Sequence, residues 1–167
     1  MSVLAFVVHV AAVVLAVTGT RKVVDPAGIV AALDAAGLPS GEAIGRGLGL
    51  IEVGVGVWVL VGGGSVSAAA MALLYGGFVA FIIANRVRGL DVPCGCIGTS
   101  TAPPGRYHVT IDLVAVVAAS WAMAAPVGPA ADWADHGAVG LLALVGVVVS
   151  AALVAVGLEA SARSHGL

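Results

Sequence analysis

Five apolar runs, at residues 3–20, 44–61, 66–87, 109–125 and 138–158, leave this chain few ways to fold. Each reaches or approaches the ~20 residues that carry a helix across a bilayer. The runs are continuously apolar, whereas strands of a membrane barrel alternate. Backbone groups placed in lipid must find partners within their own segment, which selects helices. Composition agrees. Sixty per cent of the residues are apolar and 10% are charged, against about a quarter charged in soluble domains. The expected fold is an all-α integral membrane bundle of five transmembrane helices.

The first run is not preceded by Lys or Arg, and Arg21-Lys22 follows it. A secretory signal has the opposite order, so the run is read as a retained span. Between the first two spans, Asp25 is placed to cap a short helix with Pro26 in its first position. Gly37 and Pro39 end that helix, and Ile29, Val30 and Leu33 share a face. It should lie at the membrane interface or pack under the bundle. Gly62-Gly63-Gly64-Ser65 reads as a tight connection between spans two and three.

All seven Lys and Arg residues fall on one side of this five-span arrangement: Arg21, Lys22, Arg46, Arg86, Arg88, Arg106 and Arg163. The other side carries Asp132 and Asp135. The positive-inside rule puts the first side, with the polar stretch 88–108, in the cytoplasm. A net charge of −2 and the lack of a basic tract give no reason to expect nucleic-acid binding.

The two cysteines, Cys94 and Cys96, lie in that stretch, in Pro93-Cys94-Gly95-Cys96-Ile97-Gly98. Gly95 permits the turn that would join them. A bridge closing so small a loop adds little stability, and strain makes it easier to reduce. A reversible redox pair fits these facts better than a staple. Inert thiols remain an alternative. So does half a metal site, although zinc wants four ligands and His108 is the one obvious third; an iron–sulfur cluster commonly needs four thiolates. No metal is expected. Arg88 and Arg106 can favour a thiolate, and His108 can accept its proton. His108 reads equally well as an interfacial side chain at a helix start.

Four polar residues fall within or beside the spans. Glu52 sits midway along the second, on one face with Gly45, Gly49 and Gly56. Glycines there let another helix approach closely. Glu52 is thus read as either a proton carrier or a paired carboxylate that fixes register, with Arg46, Lys22 and Arg86 as candidate partners. His9 reads as a hydrogen-bonded packing residue. Asp112 reads as a cap or an arginine partner, and Asn85 ends the third span. Met71, Tyr75, Phe78 and Ile82 form a stripe more typical of packing or lipid contact than of a quinone pocket. Gly146 and Ser150 suggest a close helix contact in the fifth span.

Residues 18–123 resemble the MauE family, the methylamine-utilisation membrane proteins of the wider DoxX-like group. The resemblance runs through Thr18-Gly19-Thr20-Arg21-Lys22, Asp25-Pro26, Gly37-Leu38-Pro39, Leu50-Ile51-Glu52-Val53-Gly54 and Ala84-Asn85-Arg86. Its most specific piece is Cys94-Gly95-Cys96-Ile97-Gly98, similar to the family's Cys-Gly-Cys-Phe-Gly signature. Tyr107-His108-Val109-Thr110-Ile111-Asp112-Leu113 completes it. Ile97 replaces the usual phenylalanine, and Ile111 stands where arginine is frequent. The resemblance implies a four-helix domain over residues 1–125, with residues 126–167 adding a linker, a fifth span and a tail.

It also implies a redox-associated role in maturing a disulfide-rich exported protein, such as a methylamine dehydrogenase subunit. Cys94 and Cys96 would then be the exchanging pair. The expected partners are the bilayer of the plasma (inner) membrane and a thioredoxin-like or disulfide-rich client; electrons would pass to a partner thiol protein or, alternatively, to a membrane quinone, and no cofactor is evident in the sequence. The family role favours an outward loop, and the charge rule an inward one. Two rival readings stay open: a non-catalytic subunit or assembly factor, and a small proton-coupled transporter using Glu52.

Overall fold

The structure is a computed structural model, which describes residues 2–90, 92 and 104–164. Five of its helices are long and apolar enough to span a membrane. In chain order the helices are α1 (Val3–Val24), α2 (Ala27–Ala35), α3 (Glu42–Gly62), α4 (Gly64–Val87), α5 (Arg106–Ala124) and α6 (Gly137–Ser164). A 3₁₀ segment, Ala130–His136, precedes α6. The protein is thus an all-α, multi-pass membrane protein in contact with lipid.

The centre of the bundle is α1, which touches α2, α3, α5 and α6. Half of its most apolar stretch is buried, against 17–28% in the other spans. Ser2 starts it by accepting a hydrogen bond at its Oγ from Ala5 N (3.1 Å), satisfying an N–H that no helical carbonyl can reach. α1 packs chiefly on α3, and α4 on α5, so the bundle is two tight pairs laid side by side.

Lipid tails are as apolar as leucine, so close packing rather than the hydrophobic effect holds such pairs. The glycine face of α3 supplies it. A Cβ on Gly49 would come within 2.6 Å of the Gly19 carbonyl oxygen, and one on Gly56 within 2.6 Å of that of Ala12. Gly45 instead meets Pro26 and Ile29 of α2. Between the two pairs the core is Leu15, Met71 and Tyr75 with the small residues Ala12, Ala115, Ala118, Ala119 and Ala122.

The turn between α3 and α4 is tighter than expected. Gly63 alone separates them at φ +58°, with Gly64 at φ +88°. Gly64 N–H donates to Val127 O (2.9 Å), tying the turn to the segment after α5. At the opposite end, α2 closes as the glycine predicted: Gly37 is at φ +71°, Leu38 N–H reaches Leu33 O, and Gly37 N–H reaches Asp34 O, both at 2.9 Å. Its start is displaced by one residue. Pro26 is the cap and Ala27 the first helical position, while Asp25 Oδ1 accepts from Ala27 N–H. α2 is packed under the bundle, with Ile29 and Ala32 buried against Val92. α6 runs from 137 to 164, past both predicted limits, and Gly146 makes an ordinary contact with the Phe6 ring rather than a close backbone approach.

Candidate functional site

The buried polar residues of the second and first spans meet. Lys22 Nζ lies 2.7 Å from Glu52 Oε2, with both side chains no more than 3% exposed. Thr18 Oγ1 donates to the same oxygen at 3.3 Å and to Leu15 O at 3.1 Å. Of the three cations named as partners for Glu52, tertiary contact selects Lys22. Arg46 pairs instead with Glu42 on the exposed side of α3 (3.3 Å), and Arg86 donates to Pro104 O (2.6 Å). Among the described residues, Glu52 is the one acceptor that takes a hydrogen bond from Lys22. The Lys22 ammonium also lies 5.6 Å from the centroid of the Phe78 ring, a cation–π distance.

Lys22 and Thr18 carry a signal that sequence reading can find. Ala11, Leu15, Thr18 and Lys22 recur at offsets of four, three and four, as do Gly45, Gly49, Glu52 and Gly56. All four are buried. Lys22 also sits in the last turn of α1 beside Arg21, where a lysine ordinarily snorkels to the interface, so the pattern alone leaves its direction open.

His108 and Asp112 occupy the first two turns of α5 and face inward. His108 Nε2 is 3.4 Å from Asp112 Oδ2, close enough for an ion pair but not aligned as a hydrogen bond. The charge of Lys22 acts on Glu52, His108 and Asp112, so the four form one electrostatic cluster. His108 is buried within the bundle, near the start of α5. Asp112 faces this histidine, not an arginine.

His9 and Asn85 lie outside the cluster. His9 is about 20 Å along α1 from Lys22 at 1.5 Å per residue. Its Nδ1 is 2.6 Å from Ala5 O, and its ring stacks obliquely on Trp133 at 4.7 Å. Asn85 Nδ2 donates to Phe81 O (2.9 Å). Three members of the stripe on α4 are packing residues: Met71, Tyr75 and Ile82 are buried, and Tyr75 donates its hydroxyl to Ala11 O at 2.8 Å, whereas Phe78 lines a cavity.

Cys94 and Cys96 lie outside the described residues, but the chain on either side of them is anchored. Val92 is buried against Ile29 and Ala32 of α2, with Phe81 and Leu90 beside it. At the other end, Pro104 O accepts from Arg86. Arg88 donates to Ala36 O (3.0 Å), joining the end of α4 to the C-terminus of α2, where a cation suits the helix dipole.

A cavity of about 230 Å³ lies between α1, α2, α3 and α4. Lys22 and Glu52 line it together with Ile29, Leu33, Leu48, Leu73, Leu74, Gly77, Phe78 and Phe81. The ion pair is thus set into an otherwise apolar wall.

Comparison with the curated proteins and with the solved structures gives no match. The model of the family described as methylamine utilisation protein MauE matches residues 1–125 of the 167, the stretch that holds α1 to α5 and both cysteines, and the chain therefore belongs to the MauE family.

Proposed function

We propose that this protein carries out thiol–disulfide exchange through Cys94 and Cys96 and so supports the maturation of a disulfide-rich partner protein. The observation that carries the reading is a Cys-Gly-Cys sequence in a segment anchored at Val92 and Pro104, adjoining a buried His108–Asp112 pair. A partner thiolate attacks the Cys94–Cys96 disulfide and forms a mixed disulfide. A second partner thiolate then displaces the cysteine, leaving the partner oxidised and Cys94 and Cys96 as thiols. Two electrons and two protons have moved to this chain, and an acceptor must remove them before the next cycle. His108 is the proton carrier of this scheme. The family description supports a client of the methylamine-utilisation type. α1 to α5 form the working unit, and α6 is an addition to it. The bilayer is that of the plasma membrane.

The carboxylate of Glu52 is held by Lys22 and Thr18, which favours a register-fixing pair over the proton-coupled transporter. A scaffold without thiol chemistry is the remaining rival. Labelling of intact cells with a membrane-impermeant maleimide, with and without reductant, tests the proposal. Labelling that requires reductant, whether before or after permeabilisation, supports exchange, and the need for permeabilisation reports the face. Labelling of both thiols regardless of reductant, with full client maturation in Cys94→Ser and Cys96→Ser, would leave the scaffold.

A further inference from the structure

We infer that the cavity between α1, α2, α3 and α4 binds the ring of a membrane quinone, with a quinone oxygen accepting a hydrogen bond from Lys22. The inference rests on the exchange reading, which requires an acceptor of two electrons and two protons. A quinone takes up both: two S–H bonds break and an S–S bond forms at the cysteines, while both quinone carbonyls become hydroxyls.

Four observations converge on this cavity. Its wall is apolar except for one buried ion pair, the arrangement of a small-ligand site with a few fixed polar groups. Its volume of about 230 Å³ lies below the roughly 300–1,000 Å³ of sites for drug-sized ligands, which suits a single ring system. The Lys22 ammonium has three N–H donors. It is 3% exposed, and Glu52 takes one of its hydrogen bonds. Lys22 lines the cavity, and a carbonyl oxygen bound there would take a second of its hydrogen bonds. Lastly, Leu73 is 77% exposed on the lipid-facing side of α4, giving an isoprenoid tail a lateral way out to the bilayer.

The cavity also adjoins Val92. Ile29, Leu33, Leu48 and Phe81 line it, and the same four side chains form the cluster in which Val92 is buried. Cys94 follows Val92 by two residues in the sequence.

The test is binding of decylubiquinone to the purified full-length protein in lipid nanodiscs. Gly77 lines the cavity, and a Cβ there meets nothing within 4 Å, as is also true of its neighbour Gly76, which does not line it. Gly77→Phe should therefore fold and weaken binding at least about tenfold, while Gly76→Phe leaves it near wild type. A decyl-substituted benzene without carbonyls should bind at least about tenfold more weakly than the quinone, the lost bond to a charged donor being the cause. Equal binding by wild type and Gly77→Phe overturns the site. Equal binding of the carbonyl-free probe also overturns it, and identifies a niche for acyl chains. Thiol titration separates this failure from that of the exchange reading. Oxidation of Cys94 and Cys96 by decylubiquinone that Gly77→Phe does not slow rejects the cavity and keeps exchange. Binding without any thiol oxidation keeps the cavity and rejects exchange.

Discussion

Replacing Glu52 by glutamine would remove the one carboxylate in direct contact with the buried Lys22 ammonium. At 2.7 Å and an effective dielectric of about 20, the Coulomb attraction lost is about 6 kcal/mol. Desolvation of two ions already offsets much of that attraction in the native protein. Removing one partner of a buried pair therefore costs about 3–5 kcal/mol, whereas replacing both is often neutral. Glu52→Gln and Lys22→Met should each destabilise the protein by about 3–5 kcal/mol. The double variant should return to within about 1 kcal/mol of wild type, since Thr18 can still donate to the glutamine oxygen. The assay is a double-mutant cycle of reversible unfolding in mixed detergent and dodecyl sulfate. Single losses below about 1 kcal/mol, or additive losses in the double variant, would refute the pairing argument.

Gly56→Leu should separate α1 from α3 and cost about 1–3 kcal/mol by overpacking, while Gly54→Leu, whose Cβ meets nothing within 4 Å, stays within about 0.5 kcal/mol; thermal unfolding reads both. Tyr75→Phe loses the hydroxyl bond to Ala11 O and should cost about 0.5–1.5 kcal/mol in the same assay. Arg86→Ala releases Pro104 from an exposed position, so unfolding should shift by less than about 0.5 kcal/mol. Client oxidation should slow severalfold if that anchor positions the cysteine segment, and an unchanged rate would rule the anchor out.

The spans were legible because length and continuous apolarity admit no other element in lipid. The end of α2 was legible because Gly37 supplies the positive φ that its last carbonyls require. The inward face of α3 could be read from Gly45, Gly49 and Gly56, since missing side chains mark a close approach. The sequence leaves Arg46, Lys22 and Arg86 open as partners of Glu52. A lysine in the last turn of a span usually snorkels to the interface, and only the packing of α1 on α3 shows that Lys22 turns inward. His108 and Asp112 are one helical turn apart, a spacing that predicts contact, yet the sequence does not say which way their face points. Trp133 lies in a polar connection, between Asp132 and Asp135. It is buried against Ala5 and Val147 and stacks on His9, which no periodicity within a seven-residue 3₁₀ segment could announce. The cysteine motif was the most specific sequence signal, and it falls outside the described residues.

The ion pair joins residues 30 positions apart, and this imposes an order on biosynthesis. At about 5–20 residues per second, the ribosome needs about 1.5–6 seconds after Lys22 to deliver Glu52. Until then α1 holds a lysine with no anion inside the bilayer, so it should ride high, with the amine at the water boundary. Arrival of α3 draws it down by closing the glycine contacts and the salt bridge together. Stalled nascent chains ending before α3 should thus be modified at Lys22 by an aqueous amine reagent, and chains extended beyond Gly62 should be protected. Equal reactivity at both lengths would mean that α1 reaches its final depth unaided.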